Sequence, residues 1–310
     1  MNSASPIACF KNAGNSPDEG RRPSPHCRVA IRDFDLAATL NSGQVFHWIN
    51  QDGGFVGLVD RTPVFVAQPR PDELVVSGAQ GTLVSQYFGL DHDLDAIRRT
   101  FPLQDAVLER AVAFCPGLRI IRQPLWECLA TFLTSSLKQL AHIRQISFKL
   151  RECFGEPILF GNSTLYTYPK PEVLAEANER ELLACGLGYR AKFLAATARA
   201  VASGDLVLDE LRGPEVSDAE AIARLCRAPG VGPKIASCVL LFGAERLGSF
   251  PIDVWVERVL RQLYQKQTAQ LNRAQLAKFT ERHFGPCRGY AQQFLFHHAR
   301  LTMPRRRNKA

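Results

Sequence analysis

The chain has no apolar run of bilayer-spanning length, no hydrophobic signal core at its N-terminus and no internal repeat. A spanning helix needs about 20 consecutive apolar residues, so an integral helical membrane role is excluded, and an intracellular, unsecreted protein is the expectation. That means cytoplasm or nucleoid in a bacterium, nucleus in a eukaryote. Nine cysteines are present, yet none forms a C-x-x-C pair and none has zinc-ligand spacing. Four closely spaced cysteines near the C-terminus, the arrangement that holds an iron–sulfur cluster, are also missing. An odd count, with Cys128, Cys153 and Cys238 set in apolar helical patterns, reads as reduced thiols. No metal and no cofactor is therefore expected. Acidic charge is in deficit: 30 Asp and Glu against 38 Lys and Arg, a net charge of +8. That balance suits a polyanionic partner, although ribosome-associated and heparin-like binders share it.

What is there is a globular composition, 46% hydrophobic over 310 residues, with room for more than one core. Residues 1–27 are rich in Ser, Pro, Asn, Gly and Arg without periodicity and read as a disordered tail. From 28 to 78 the pattern is β-like. Gln44–Ile49 precedes the turn Asp52-Gly53-Gly54; Phe55–Val59, Pro63–Ala67 and Leu74–Val76 follow. Strand-length segments bounded by turn residues predict an antiparallel sheet. Beyond about residue 80 the period becomes helical, with Trp126, Leu129, Ala130 and Leu133 on one face and Leu140, Ile143, Ser147 and Leu150 on the next. Helices are also expected over 189–202 and at about 254–264, 273–284 and 289–301. The division expected is a tail (1–27), a sheet domain with short helices (28–120), a helical domain (121–302) and a basic tail (303–310) carrying Arg305, Arg306, Arg307 and Lys309.

The densest chemistry lies at 217–253. Ser217-Asp218-Ala219-Glu220 has capping-box spacing and should start a helix. That helix stops at Pro229-Gly230, and another begins with Pro233 in its first turn, where a missing N–H costs nothing. The intervening Gly230-Val231-Gly232 suits backbone approach to a phosphate, since glycine allows positive φ and leaves the N–H groups uncovered. Taken alone this is a helical hairpin and nothing more. Lys234 makes it informative. A cation in a helix's first turn opposes the dipole, and the neighbours Ile235, Ala236, Val239 and Leu240 suggest partial burial. Dipole and desolvation both favour the uncharged amine, which is a nucleophile. Nineteen positions on stands Asp253, in Pro251-Ile252-Asp253-Val254. It reads as a helix N-cap, and a carboxylate there is also able to stabilise a sugar cation as a glycosidic bond breaks.

The hairpin with its lysine and the following Pro-x-Asp-Val resemble the helix-hairpin-helix/Gly-Pro-Asp superfamily of DNA glycosylases. Further blocks resemble the 8-oxoguanine DNA glycosylase/AP lyase family: Ser42-Gly43-Gln44-x-Phe46-x-Trp48, Arg122-Gln123-Pro124-x-x-Glu127-Cys128-Leu129 with Thr134-Ser135-Ser136, Leu187-Gly188-Tyr189-Arg190-Ala191, and Gly289-Tyr290-Ala291-Gln292 with Leu295-Phe296. The resemblance covers most of 28–302, in family order. It implies an α+β fold, an antiparallel TATA-binding-protein-like sheet domain followed by an all-helical glycosylase domain. It implies damaged double-stranded DNA as partner. It assigns Lys234 as the nucleophile and Asp253 as the carboxylate that stabilises the sugar cation. Gly43 would accept a hydrogen bond from the N7–H peculiar to the oxidised base, Gln292 would read its Watson–Crick edge, and Cys238 and Phe296 would sandwich it. Tyr189 would wedge into the duplex, Arg190 would touch the backbone or the opposite strand, and Gly230, Val231 and Gly232 would form the DNA-binding hairpin. A monomer is the plain expectation.

Two departures stand out. After Ser135-Ser136 the family's eukaryotic members carry an asparagine run and an arginine that reads the opposite cytosine; here Leu137-Lys138-Gln139 and His142 stand in their place. Histidine lacks arginine's donor fork, which predicts relaxed discrimination of the opposite base. Trp255 replaces the family's histidine two positions after the aspartate. Two other readings stay open at this point: a monofunctional glycosylase of the same fold, and a non-catalytic helix-hairpin-helix module that binds DNA.

Overall fold

The computed structural model describes residues 27–135 and 139–304. Expectations for residues 1–26, Ser136, Leu137, Lys138, Arg305, Arg306, Arg307 and Lys309 lie outside the described residues. The period-2 segments become β1 (Cys27–Ala30), β2 (Ile49–Gln51), β3 (Gly54–Val59), β4 (Thr62–Arg70) and β5 (Glu73–Ser77), in one antiparallel sheet of order β1-β5-β4-β3-β2. β1 begins at Cys27, one residue inside the expected tail. Asp52 and Gly53 both take positive φ, 51° and 74°, in a two-residue turn that closes β2 on β3 with Gln51 opposite Gly54. Such a turn matches the right-handed twist of the strands it joins. β3 is buried on both faces. Phe55 and Val59 face a core with Phe34, Trp48, Tyr87 and Phe88, while Val56 and Leu58 face Leu165.

The strand expected over Gln44–Ile49 is not a strand before Ile49. Side chains, not a ladder, satisfy this segment. The Gln44 amide donates to the Arg119 carbonyl at 2.7 Å and accepts from the Ile121 N–H at 2.9 Å. The Gln123 amide donates to the Gln44 carbonyl at 3.1 Å, and Arg144 donates to the Trp48 carbonyl. All five residues Gln44–Trp48 are buried. Apolar alternation marks burial, and burial here is achieved by an irregular loop pinned to the connection between the two halves.

The helices of the first half are α1 (Leu36–Asn41), α2 (Gly81–Tyr87), α3 (Leu94–Arg99) and α4 (Ala106–Phe114). Those of the second half are α5 (Leu125–Thr134), α6 (Leu140–Phe154), α7 (Pro171–Glu176), α8 (Glu179–Ala184), α9 (Ala191–Ala202), α10 (Asp218–Leu225), α11 (Pro233–Phe242), α12 (Val254–Leu263), α13 (Gln265–Thr268), α14 (Arg273–Phe284) and α15 (Arg288–Thr302). Gly188–Arg190 forms a 3₁₀ turn ahead of α9. Two features depart from the expected division. α3 and α4 precede residue 120, yet Leu94, Ile97, Leu108 and Ala111 belong to the large helical core, and α4 packs on α15. Ile121, conversely, stays with the sheet core. The second half is also not all helix: β6 (Pro157–Phe160) and β7 (Ser163–Tyr166) form a hairpin that covers the second face of the sheet through Ile158, Phe160 and Leu165. The period of a strand is too short to show in so small a hairpin. Buried Arg151 on α6 pairs with Glu127 on α5 and donates to the Tyr166 carbonyl at 3.0 Å, which fixes that hairpin to the helices.

Candidate active site

α10 starts at Ser217, whose hydroxyl accepts from the Glu220 N–H at 3.2 Å. Only this half of the expected capping box forms, because the Glu220 carboxylate is engaged by Arg224. The helix ends at Leu225, and the Val231 N–H returns to the Ala228 carbonyl at 3.1 Å. Gly230 holds φ of +81°, and a β-carbon there would meet the Phe193 ring at 2.6 Å. Val231 is buried and anchors the turn. Gly232 is the N-cap of α11, has nothing within 4 Å of its would-be β-carbon, and is followed by Pro233 at the first helical position. The hairpin therefore has one glycine that the fold requires and one that leaves its outer surface clear.

Lys234 is half-buried in the first turn of α11, with Nζ 5.1 Å from the centroid of the Phe132 ring. Cys238 lies one turn on and is 3% exposed. Burial pushes the Cys238 thiol up; the Lys234 charge pulls it back and the Asp253 charge adds to the rise. Asp253 caps α12, accepting from the Val256 N–H at 2.8 Å. Desolvation lifts its carboxyl above the usual carboxylate range, against that N–H bond and the charge of Lys234. Lys234, Cys238 and Asp253 thus form one electrostatic cluster, with the thiol feeling both charges. A carboxylate raised by desolvation is a better proton acceptor than one in water.

Gly43 and Phe296 meet at the same level of the fold: a β-carbon on Gly43, φ +92°, would lie 3.3 Å from Phe296 and from Leu140 at the start of α6. Gln292 on α15 is 3% exposed and donates through Nε2 to the Pro251 carbonyl at 3.1 Å, while its Oε1 accepts from Gln293 at 2.7 Å. One N–H and one lone pair of that amide are left uncommitted by these bonds, and Pro251 ties it to the segment that leads into Asp253. Tyr189 is 57% exposed, in edge contact with Phe193 at 6.1 Å. Phe193 is the same ring that backs Gly230, so Tyr189 and the hairpin share a support.

Arg190, expected at the DNA, is buried, with its guanidinium 4.3 Å over the Tyr189 ring. His142 is exposed, in the first turn of α6. Trp255 is half-buried with the Arg258 guanidinium 5.9 Å over its ring. Phe132, Phe193 and Leu140 were not legible as site residues. Each is an apolar residue on an amphipathic helix, and only its neighbours distinguish it.

A helical hairpin with an N-terminal-turn lysine and a downstream capping aspartate, set beside an antiparallel sheet, defines a base-excision DNA glycosylase fold. Family models agree: residues 27–129 match the 8-oxoguanine DNA glycosylase N-terminal domain, and residues 134–282 match the HhH-GPD superfamily base excision DNA repair protein. The chain belongs to the 8-oxoguanine DNA glycosylase family of the HhH-GPD superfamily. It is 31% identical to an N-glycosylase/DNA lyase of Saccharomyces cerevisiae over 77% of this chain and 71% of that one. A probable N-glycosylase/DNA lyase of Methanothermobacter thermautotrophicus is 27% identical over 89% of this chain and 96% of its own. Among solved structures, MBOgg1 in complex with a low-affinity DNA ligand superposes with a TM-score of 0.84 at 32% identity, covering 92% of this chain and 98% of that one. The apo 8-oxoguanine glycosylase/lyase of Clostridium acetobutylicum does so with 0.82 at 28%, covering 89% and 97%.

Proposed function

We propose that the protein is a bifunctional DNA glycosylase/AP lyase that excises 8-oxoguanine from duplex DNA. The observation that carries this reading is the grouping of Lys234 and Asp253 around Cys238, directly behind a glycine hairpin suited to a phosphate backbone. The damaged nucleotide leaves the stack, at a cost of a few kcal/mol. Tyr189 fills the gap, and Phe296 with Cys238 receives the base, recovering part of that cost by stacking. The Gly43 carbonyl accepts from N7–H, a donor that guanine lacks, and the free N–H and lone pair of Gln292 address the Watson–Crick edge.

Asp253 accepts the ammonium proton and then stabilises positive charge on the sugar. The lone pair of Lys234 Nζ forms a bond to C1′ as the C1′–N9 bond breaks and its electrons leave with the base. Ring opening gives a Schiff base, and β-elimination cuts the strand 3′ to the lesion. His142, on the exposed first turn of α6, supplies no bidentate fork to an opposite cytosine, so lesions opposite adenine are excised at rates close to those opposite cytosine. The protein acts as a monomer, and its DNA affinity falls steeply with salt as phosphate contacts release counterions.

Borohydride trapping on an 8-oxoguanine duplex tests the core of this. A covalent adduct that disappears in Lys234→Gln is expected. Base release without an adduct would indicate a monofunctional enzyme, and binding without release a non-catalytic module. Repeating the assay with each base opposite the lesion tests His142; strict preference for cytosine would refute its role.

A further inference from the structure

Phe132 lies on α5, is 4% exposed, and presents its ring to the Lys234 amine at 5.1 Å. This is within the range of a cation–π contact, about 6 Å from the centroid. The ring has no freedom to turn away. Phe242 stacks on it with centroids 5.3 Å apart and planes 16° from parallel, and Phe46 abuts it edge-on at 6.4 Å and 77°. Phe242 follows Lys234 and Cys238 at four-residue intervals, so one face of α11 carries amine, thiol and backing ring in line. Phe46 comes from the pinned loop that also carries Gly43. The three aromatics thus join the loop, α5 and α11 at the point where the amine sits.

We propose that Phe132 is a positioning residue for the nucleophile: its ring face holds the Lys234 amine at the mouth of the site. The inference rests on the reading of Lys234 as nucleophile. The other titratable groups facing the amine are Cys238 on its own helix, Cys128 on α5 and Asp253 at the head of α12. Burial pushes both thiols up, so of these three Asp253 is the proton acceptor.

The test is single-turnover excision at saturating 8-oxoguanine DNA, with DNA affinity measured alongside, in wild type, Phe132→Leu and Phe132→Tyr. Leucine fills similar space without a π-face, and tyrosine restores the face. Phe132→Leu should leave DNA affinity within about twofold and lower the plateau rate about 5–30-fold. Phe132→Tyr should restore the plateau. A wild-type plateau in Phe132→Leu, or a Tyr variant as impaired as Leu, overturns the proposal. If Phe132→Leu does not fold, Phe242→Leu, which removes the backing ring, is read the same way: a lowered plateau at unchanged affinity supports the proposal and an unchanged plateau overturns it. Wild-type protein that forms no trapped adduct refutes the nucleophile itself, a failure distinct from an adduct-forming wild type whose rate does not depend on Phe132.

Discussion

Replacing Gly230 by alanine should damage the fold, and replacing Gly232 should not, although both glycines sit in the same three-residue turn. Gly230 holds φ of +81°, and a β-carbon there would lie 2.6 Å from Cδ2 and 2.7 Å from Cγ of Phe193. A left-handed alanine costs about 1–2 kcal/mol, and forcing the ring aside adds about 1–3 kcal/mol. Together these make about 2–5 kcal/mol, a large share of a typical folding free energy of about 5–15 kcal/mol. At about 2 °C per kcal/mol for a chain of this size, the unfolding midpoint should fall by about 4–10 °C. Gly232, with φ of −107° and open space around its would-be β-carbon, lacks both penalties. Its alanine variant loses at most about 1 kcal/mol from a poorer N-cap, or about 2 °C. Its methyl group would nonetheless stand on the face offered to phosphate, so binding to 8-oxoguanine duplex should weaken while stability holds. Differential scanning calorimetry and fluorescence titration read the two effects separately. Equal midpoints for the two variants would refute the reasoning, because they would mean that Phe193 does not confine the turn.

Asp253→Asn should keep the cap, asparagine being as good an N-cap as aspartate, while excision falls about 10²–10³-fold through loss of the charge; a normal rate in single turnover would remove Asp253 from the chemistry. Asp253→Ala should add a stability loss of about 1 kcal/mol, visible in urea unfolding. Tyr189→Ala should leave stability nearly unchanged, since the ring is 57% exposed, but slow excision by the worth of one stacked base, about 1–3 kcal/mol; an unchanged rate would mean that the tyrosine is no wedge. Buried His297 has its imidazole pulled down to about 4 by desolvation and by Arg300. Neutral in the fold and free to protonate once unfolded, it contributes stability that is complete above about pH 6.5 and lost as pH falls towards 4. His47 and His92, also pulled down by burial, act in the same direction. Melting curves from pH 7 to 4 should show this decline, and His297→Gln should flatten it in part; an identical slope would discount the residue.

Legibility followed the local character of each signal. The turn Asp52-Gly53, the helix starts at Asp253 and Pro233, and the positive φ of Gly230 depend on a few adjacent residues, and all were readable. The Gln44–Trp48 segment was misread because alternation reports burial, whereas a strand also needs a partner for its backbone groups. The Gln44 and Trp48 carbonyls are taken here by the side chains of Gln123 and Arg144. The seam between the halves was displaced for a related reason: chain order places α3 and α4 with the sheet, but their apolar faces match α15 and the helical core.

Sequence alone set an amine, a capping carboxylate and two glycines at fixed spacing, because these are properties of a short stretch of chain. It also put Lys234 and Cys238 on one helix face, since helix geometry converts spacing into direction. Tertiary structure decided what those groups meet. It set Phe132 against the amine, Phe193 beside both Tyr189 and the hairpin, and Phe296 beside Gly43, and it buried Arg190 with its guanidinium over Tyr189. Each of these is a contact between segments distant in the chain, fixed by the close packing of a shared core that no local pattern encodes.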